Sequence, residues 1–271
     1  MTRPPIVLKL GGELLEDGPQ TRTVACEIAR AAAAMPMAVV HGGGREIDAA
    51  LARAGIPKQQ VDGLRVTDQP TLDIVVSVLA GAINTRLIAA INAAGGRAVG
   101  LTGADCGVAP VEPMPPFRSV AGDTVSPGLV GQPTHDGTPH LVSHVVDGGY
   151  VPVVATIGAG ADGTLYNVNA DTMAAALAVR LKAPRLLIAG TTPGVLDRDG
   201  NTIAELGFDA ERELASAGTI NRGMLAKLQA CRAAIAGGVP EVAIVDGRDT
   251  ARLRAALAGR DGAADSMTRV M

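Results

Sequence analysis

Short apolar runs alternate along the chain with longer segments in which apolar residues recur every three or four positions. Ile6–Leu10 and Met37–Val40 are typical of buried strands, and each run is followed by a glycine-rich segment. Residues 21–34 and 46–54 have helical spacing, and Pro36 ends the first of these helices. The order strand, helix, strand, helix predicts a parallel sheet that is covered by helices.

The same alternation continues towards the C-terminus, apart from one segment. Residues 105–135 contain six prolines, which rule out a long helix and predict hairpins and loops lying over a site. Elsewhere we predict strands at 98–101, 150–157, 164–168, 185–189, 242–245 and, as a last edge strand, 267–270. Helices are predicted at 72–94, 141–147, 169–181, 222–236 and 251–258.

These elements predict an α/β fold, a three-layer αβα sandwich with a mostly parallel central sheet. No internal repeat or linker divides the chain, so two lobes are expected to share one continuous sheet. We place the N-terminal lobe at residues 1–168 and the C-terminal lobe at residues 169–271.

Composition excludes several classes of partner. Hydrophobic residues make up 47% of the chain and aromatic residues only 1%, so the core has to be built from aliphatic side chains and methionine. So few aromatic rings argue against carbohydrate or single-stranded nucleic-acid recognition, which depend on stacking. The net charge of −3 provides no basic surface for a phosphodiester backbone. We therefore expect no nucleic-acid partner.

The chain has the features of a cytoplasmic protein. Cys26, Cys106 and Cys231 are widely spaced, which predicts buried or half-buried thiols in a reducing compartment. The charged residues Lys9 and Glu13 come too early for the apolar region of a signal peptide. No apolar run approaches the roughly 18 residues of a membrane span, so no membrane segment is expected.

Two glycine-rich loops directly follow the first two predicted strands. Gly11 and Gly12 follow the strand that contains Lys9, and Gly42-Gly43-Gly44 follows His41. Glycine lets backbone N–H groups approach an anion, and an ammonium group at the mouth of the first loop can reach a phosphate oxygen. The alternative is a pair of ordinary tight turns. Two such loops in consecutive strand–helix units favour phosphate binding.

Three motifs that often mark nucleotide or metal sites do not support such a site here. No Gly-Lys dipeptide occurs, so the chain has no P-loop. A Gly-x-Gly-x-x-Gly pattern spans residues 158–163, but a strand is predicted after it where a dinucleotide-binding fold requires a helix. A nicotinamide-dependent oxidoreductase is therefore not supported. His140 and His144 have a metal-binding spacing, but without a third ligand they predict a solvated helix face, and no metal-ligating residue is assigned.

A cluster of polar residues lies at a predicted strand-to-helix turn, the position where open α/β sheets bind ligands. Helix capping explains Asn169 alone, so Asn167 and Asp171 indicate a site. Lys227 lies in an apolar helical stripe, and considered by itself it is typical of a surface lysine with a partly buried stem.

Taken in order, these segments make the chain resemble the acetylglutamate kinases of the amino acid kinase family over nearly its whole length. The two glycine-rich loops are shared with carbamate and uridylate kinases and are moderately specific. The other segments that carry the resemblance are Gly63-Leu64-Arg65-Val66-Thr67, Asn167-Val168-Asn169-Ala170-Asp171 and Gly223-Met224-Leu225-Ala226-Lys227. The first two of these segments point to the acetylglutamate branch.

The resemblance implies a role for individual residues. Lys9 and Lys227 are expected to bracket the transferring phosphoryl group, with Asp171 holding both lysines in place. Arg65 is expected to clamp the α-carboxylate of the acceptor. The remaining implied contacts are Gly43, Gly44, Asn167 and Asn169 with the acceptor, and Gly11, Gly12, Thr191 and Met224 with the nucleotide.

The implied reaction is ATP-dependent phosphorylation of the side-chain carboxylate of N-acetyl-L-glutamate to N-acetylglutamyl 5-phosphate, a step in arginine biosynthesis. ATP and Mg²⁺ are the implied co-substrates, with the nucleotide on the C-terminal lobe and the acceptor and dimer interface on the N-terminal lobe. A carboxylate with a pKa of about 4.3 is already ionised at neutral pH, so the nucleophile needs no general base. Positioning and positive charge have to overcome its repulsion by the phosphates.

The sequence departs from the family pattern in three places. Thr191-Thr192-Pro193 stands where an acidic residue usually precedes Gly194, which puts the affinity for ATP in question. Pro127 interrupts a loop that usually carries an acidic residue, and 265–269 lacks the usual Gly-Thr close. The first strand begins at Ile6, without the N-terminal helix of arginine-inhibited hexamers. The resemblance therefore implies a homodimer that is insensitive to arginine.

Two alternative functions stay open. The acceptor in one of them is N-acetylaminoadipate, which is longer by one methylene, and a methylene changes binding by only about 1–3 kcal/mol. The other is a non-catalytic sensor of the same fold, for which the altered segment at Thr191 is the only support. Retention of Lys9, Asp171 and Lys227 together argues against a pure binding protein.

Overall fold

The predicted alternation of strands and helices is present in the computed structural model of the chain, which describes residues 3–134, 137, 139–216, 218, 220–259 and 267–271. Parts of two segments from the sequence analysis lie outside the described residues, namely residue 135 of the segment 105–135 and Asp265-Ser266 of the segment 265–269.

The strands are short, as expected for an α/β fold. In chain order they are β1 (Ile6–Leu10), β2 (Met37–His41), β3 (Gln60–Val61), β4 (Leu64–Arg65), β5 (Ala98–Thr102), β6 (Val111–Pro113), β7 (Phe117–Arg118), β8 (Thr124–Val125), β9 (Val130–Pro133), β10 (Val151–Ala155), β11 (Ile157–Ala159), β12 (Leu165–Val168), β13 (Arg185–Gly190), β14 (Glu205–Leu206), β15 (Glu241–Asp246) and β16 (Met267–Val270).

Apart from α7, which was not predicted, the helices follow the predicted ranges within a few residues. They are α1 (Gly18–Ala32), α2 (Gly44–Arg53), α3 (Gln69–Val76), α4 (Asn84–Ala93), α5 (His140–Asp147), α6 (Ala170–Arg180), α7 (Phe208–Ser216), α8 (Arg222–Ala236) and α9 (Thr250–Ala258). A π-helical segment, Ser77–Ile83, joins α3 to α4 without a break.

One continuous sheet contains strands from both halves of the chain, in the order β14-β16-β15-β13-β1-β2-β10-β5. The six strands from β15 to β5 are mutually parallel, as predicted. The prediction that 267–270 forms the edge strand is wrong, because β14 pairs with the far side of β16. β16 runs antiparallel to β15.

Alternate residues of each parallel strand enter two separate cores, which makes the fold a three-layer sandwich. In β1, Leu8 and Leu10 face the core under α1 and α9, whereas Val7 faces the core under α6 and α8. Both cores consist mainly of alanine, valine, leucine, isoleucine and methionine, as the composition predicts.

The described part of this segment, residues 105–134, forms hairpins, as the prolines predict. β6 and β9 pair with each other in a second sheet, β11-β12-β9-β6, and β7 pairs with β8. The misplaced dinucleotide pattern at 158–163 covers the antiparallel turn between β11 and β12, where no helix N-terminus is available to bind a phosphate.

The continuous helical run Gln69–Ala93 corrects one prediction from the sequence. Among the described residues it is the one helix long and apolar enough to pass the length-and-composition test for a membrane span, although no apolar run of that length was expected. Leu79, Leu87 and Ile91 of this helix are nevertheless buried in the core, as in the core helix of a globular protein. Ile74, Val76 and Ile88 of the same helix are partly buried and pack against this core.

The prediction for the cysteines is correct for one residue and wrong for two. Cys231 is buried in α8, whereas Cys26 and Cys106 are exposed. The spacing of the three residues could not reveal this, because Cys26 lies on the outer face of α1 and Cys106 sits in an exposed turn with a left-handed φ of 45°.

Candidate active site

A cavity of about 270 Å³ opens at the carboxyl ends of the central strands. Eight of the predicted site residues line it, namely Lys9, Gly12, Gly43, Gly44, Arg65, Asn167, Asn169 and Asp171. They come from the ends of β1, β2, β4 and β12, so segments that are far apart in sequence meet at one edge of the main sheet, as open α/β folds require.

Strand period and helix packing place Lys9 in the cavity. Val7 and Lys9 share the face of β1 that packs against α6, because side chains alternate along a strand. Lys9 is the last residue but one of the strand, so its ammonium group reaches past the apolar core. There it meets Asp171 in the first turn of α6, where the helix dipole favours a negative charge.

Asp171 joins the two predicted lysines into one buried ion cluster. Nζ of Lys9 lies 2.8 Å from Oδ1 of Asp171, and Nζ of Lys227 donates to Oδ2 at 3.2 Å. The side chains of Lys9 and Asp171 are 5% and 7% exposed, and that of Lys227 is 20% exposed. Lys227 is therefore not the surface lysine that its helical stripe alone suggests.

The charges of this cluster shift the pKa values of all three groups. Burial by itself disfavours the Asp171 carboxylate, but attraction by Lys9 and Lys227 outweighs burial and lowers its pKa. Burial and the neighbouring Lys227 lower the pKa of Lys9, although Asp171 opposes them. For Lys227, burial is outweighed by the attraction of Asp171, which raises its pKa. The cluster carries two cationic groups and one anion, so it presents an excess positive charge to the cavity.

Arg65 occupies the other end of the cavity. Its Nη2 is ion-paired with Oδ1 of Asp48 on α2 and donates to the backbone oxygen of Gly44 at 3.3 Å. Its Nη1 is buried and has no hydrogen-bond partner among the described residues. A guanidinium group held on one side and unpaired on the other can bind a carboxylate that enters the cavity.

The two segments specific to the acetylglutamate branch touch each other beside this arginine. Asn167 donates from Nδ2 to the hydroxyl of Thr67 at 3.2 Å, and that hydroxyl donates to the backbone oxygen of Arg65 at 3.0 Å. Asn169 caps α6, since its Oδ1 accepts from the N–H groups of Asp171 and Thr172 at 2.9 and 3.1 Å. Asn169 also lines the cavity, so helix capping and a contact with the ligand are compatible roles for this residue.

The two glycine-rich loops lie in backbone contact. A Cβ atom on Gly12 would stand 2.6 Å from Cα of Gly43, closer than real side chains approach. A Cβ atom on Gly43 would stand 2.1 Å from Cδ1 of Ile83. The glycines therefore let both loops close over the strand ends, which a side chain at either position would prevent.

The predicted nucleotide contacts are only partly brought together. Of the four residues assigned to the nucleotide, Gly12 lines the cavity, whereas Gly11, Thr191 and Met224 do not. Thr191 directly follows β13, and Met224 is buried in the first turn of α8, where its N–H group is capped by Asn221. Thr268 of β16 holds the loop after Thr191, because its hydroxyl accepts a hydrogen bond from the N–H of Val195 at 2.8 Å.

Several cavity residues were missed by the sequence analysis. Glu13, Gln60 and Thr156 line the cavity, and Asp48 holds Arg65. His41 is fully buried beneath the second loop, where Nε2 lies 3.0 Å from Nδ2 of Asn84. Glu13 had a signal, since it directly follows the first glycine pair. Asp48 gave none, because Arg65 lies 17 residues away in sequence, and neither did His41, because Asn84 lies 43 residues away.

Comparison with known proteins agrees with this geometry. Residues 4–246 match the model of the amino acid kinase family. The chain is 41% identical to an acetylglutamate kinase of Erythrobacter litoralis over 80% of this chain and 74% of that protein. It is 42% identical to an acetylglutamate kinase of Sorangium cellulosum, over 81% of this chain and 79% of the other. The carbamate kinase of Giardia lamblia, solved with AMP-PNP, has the same fold at 15% identity, with a TM-score of 0.68 over 99% and 98% of the two chains.

Proposed function

The chain belongs to the amino acid kinase family, and on that premise we propose that it catalyses ATP-dependent phosphorylation of the side-chain carboxylate of N-acetyl-L-glutamate. The enzyme is a phosphotransferase with a carboxyl group as acceptor. Its product is N-acetylglutamyl 5-phosphate, an intermediate of arginine biosynthesis.

The observation that carries this proposal is the pairing of Lys9 and Lys227 on opposite oxygens of Asp171, beside a cavity that ends at Arg65. Two ammonium groups oriented by one carboxylate provide positive charge where a phosphoryl group develops negative charge. An arginine with one unpaired nitrogen, at the far end, provides a clamp for the α-carboxylate. The acceptor is thereby oriented with its side-chain carboxylate towards the lysines.

The phosphoryl group passes directly from ATP to the acceptor, so no protein side chain has to form a covalent bond. An ionised carboxylate oxygen forms a bond to the γ-phosphorus as the bond to the ADP oxygen breaks, and the electron pair leaves with ADP. No proton has to be removed from the nucleophile, because a carboxyl group is ionised at neutral pH. Lys9 and Lys227 stabilise the charge on the transferring group, and Asp171 keeps their ammonium groups in position.

The two lobes divide the substrates between them. We assign the acceptor to Arg65, Asn167, Gly43 and Gly44 of residues 1–168, together with Asn169 at the lobe boundary, and all five residues line the cavity. Thr191 and Met224 belong to residues 169–271, and Met224 shares α8 with Lys227, so we assign ATP to this lobe. ATP enters as its Mg²⁺ complex, so the ion is part of the substrate. Among the described residues, no group of three or more His, Cys, Asp or Glu side chains is arranged to hold a resident metal ion.

We assign the protein to the cytoplasm as a homodimer. The thiols of Cys26, Cys106 and Cys231 are free, which fits a reducing compartment. Among the described strands β5 is an edge of the main sheet, and α4, with the partly buried Ile88, packs beside it. An exposed edge next to an apolar surface is typical of an interface between copies of one chain. Light scattering that gave a monomer or a hexamer would contradict the assignment.

A hydroxamate-trapping assay with Mg·ATP tests the reaction directly. N-acetylglutamate, N-acetylaminoadipate and free glutamate are compared as acceptors, with the Lys227→Ala variant as the blank. We expect acyl phosphate from N-acetylglutamate alone. Preference for the longer acid would move the protein to the related lysine-type reaction, and no acyl phosphate from any acceptor would favour a non-catalytic sensor.

A further inference from the structure

An acidic residue stands inside the first phosphate-binding loop. Glu13 directly follows Gly11-Gly12 and lies in the single turn of 3-10 helix that these glycines begin. Its carboxyl group folds back over the loop, so a Cβ atom on Gly11 would stand 2.6 Å from Cδ and both carboxyl oxygens. A Cβ atom on Gly190 would stand 3.4 Å from Oε1. The carboxylate of Glu13 therefore lies between the ends of β1 and β13, the two central strands of the sheet.

This carboxylate has no role in holding the protein together. Among the described residues no hydrogen bond or ion pair to Glu13 is found, and its side chain is partly exposed to the cavity that it lines. It is close enough to act electrostatically on the ammonium groups of both Lys9 and Lys227. It is thus a charged group facing the place where the phosphates have to lie, beside lysines that are already paired with Asp171.

A lone carboxylate at that place weakens the binding of ATP unless a cation accompanies the phosphates. It repels the tetra-anion ATP, whereas it attracts a divalent ion bound to the same phosphates. Mg²⁺ in kinases is typically bound by one or two carboxylates together with phosphate oxygens and water.

We propose that Glu13 is the protein ligand of the Mg²⁺ ion that enters with ATP, and that it couples nucleotide binding to the presence of the metal. The inference rests on the proposed function, because it assigns the phosphates of ATP to the cavity. It gives Glu13 two opposite effects: the carboxylate favours the magnesium complex and disfavours the free nucleotide.

Calorimetric titration with AMP-PNP tests this pair of effects. Wild-type protein, Glu13→Gln and Glu16→Gln are each titrated with Mg²⁺ present and with excess EDTA. Glu16 is a matched control, since it lies three residues further on and is paired with Arg45 at the surface. For Glu13→Gln we expect affinity to fall about tenfold or more with Mg²⁺ and to stay equal or rise with EDTA. Glu16→Gln should bind like the wild type under both conditions.

Mn²⁺ supplies a readout that does not depend on catalysis. The electron paramagnetic resonance spectrum of Mn²⁺ with AMP-PNP and wild-type protein should show bound ion, and Glu13→Gln should release most of it at the same concentrations. A variant that binds the nucleotide more weakly with and without metal, more tightly in both, or unchanged in both would overturn the inference. If wild-type protein itself failed to bind magnesium AMP-PNP, the proposed function would fall as well, so the two failures are distinguishable.

Discussion

The two ends of the active-site cavity hold their charges in different ways. At the transfer end, Lys9 and Asp171 are 5% and 7% exposed and lie within the fold. At the acceptor end, Arg65 is 12% exposed, but Asp48, which holds it, is 32% exposed and shared with the solvated Lys58. The transfer end is therefore a buried cluster, and the acceptor end is a clamp supported from the surface.

This difference separates chemistry from binding. A buried ion cluster loses both its fold stability and its catalytic field when one member is removed, because the remaining charges have no solvent to compensate them. A clamp with a partly solvated support loses affinity for its ligand, while water takes over the exposed side of the ion pair. Substitutions at the two ends should accordingly change different kinetic parameters.

The largest effect is expected for Asp171→Asn. The change leaves Lys9 and Lys227 facing each other without an anion, so kcat should fall by about 10³-fold or more and the free energy of unfolding by about 3–5 kcal/mol. Steady-state kinetics and urea unfolding measure the two losses. The same change at Asp162, an exposed turn residue, should alter neither. A near-normal kcat for Asp171→Asn would contradict the conclusion that the transfer end of the cavity governs the chemical step.

His41, which supports the acceptor loop from below, sharpens the comparison through pH. With Nδ2 of Asn84 donating to it, Nε2 of His41 is unprotonated, and burial lowers the pKa of His41 to about 4. The unfolded chain takes up a proton below about 6.5 and the folded chain does not. The stability is therefore complete above pH 6.5 and lost as pH falls towards 4, by roughly 1.4 kcal/mol for each pH unit. Urea unfolding of His41→Gln should remove this dependence, whereas His144→Gln, on an exposed helix face, should keep it.

At the acceptor end, Arg65→Lys should raise KM for N-acetylglutamate by about 10–100-fold and leave kcat within a few fold. Lysine keeps the positive charge but loses the fork that can grip Asp48 and a carboxylate together. The expected loss corresponds to about 1.4–2.8 kcal/mol of binding. Arg45→Lys, at an exposed ion pair on the same helix as Asp48, is the control. A drop in kcat alone would place Arg65 with the transfer end.

The smallest effect is expected for Asp48→Asn, which loosens the clamp without removing it. KM for the acceptor should rise roughly 2–5-fold, because partly exposed ion pairs contribute little and Gly44 still accepts from Arg65. Lys58→Met removes the other partner of Asp48, at a side chain that is 42% exposed, and should have no measurable effect. A larger effect of Lys58→Met than of Asp48→Asn would show that the surface pair, not Arg65, sets affinity.

Much of the fold could be predicted because its signals are local. Strand and helix periods identified the elements, and Asn169 was recognised as a cap from its place before the helix. The errors arose where contacts with other elements of the fold determine the structure. The range 267–270 is an inner strand because β14 pairs beyond it. The helix predicted at 72–94 is present, but it is apolar over a longer stretch than expected.

The candidate site residues that belong to sequence motifs could be predicted, whereas a charged residue outside any motif could not. Lys9, Arg65 and Asp171 belong to recognisable segments, and the structure brings them to one cavity. Asp48 lies on a helix with no motif of its own, so nothing in its sequence neighbourhood indicates that it holds Arg65. Thr191 and Met224 remain predictions for the nucleotide side.

The sequence by itself determined which residues alternate between the two faces of each strand, where loops follow strands, and which loops have glycine. It therefore determined that Lys9 stands at a strand end beside a loop that can bind phosphate. Only the tertiary structure decided that Lys227, 56 residues from Asp171, becomes its second buried partner, and that Glu13 lies over Gly190. The physical reason is range: period and capping act within one element, whereas the distance between charges on different elements depends on how the whole chain packs its apolar faces.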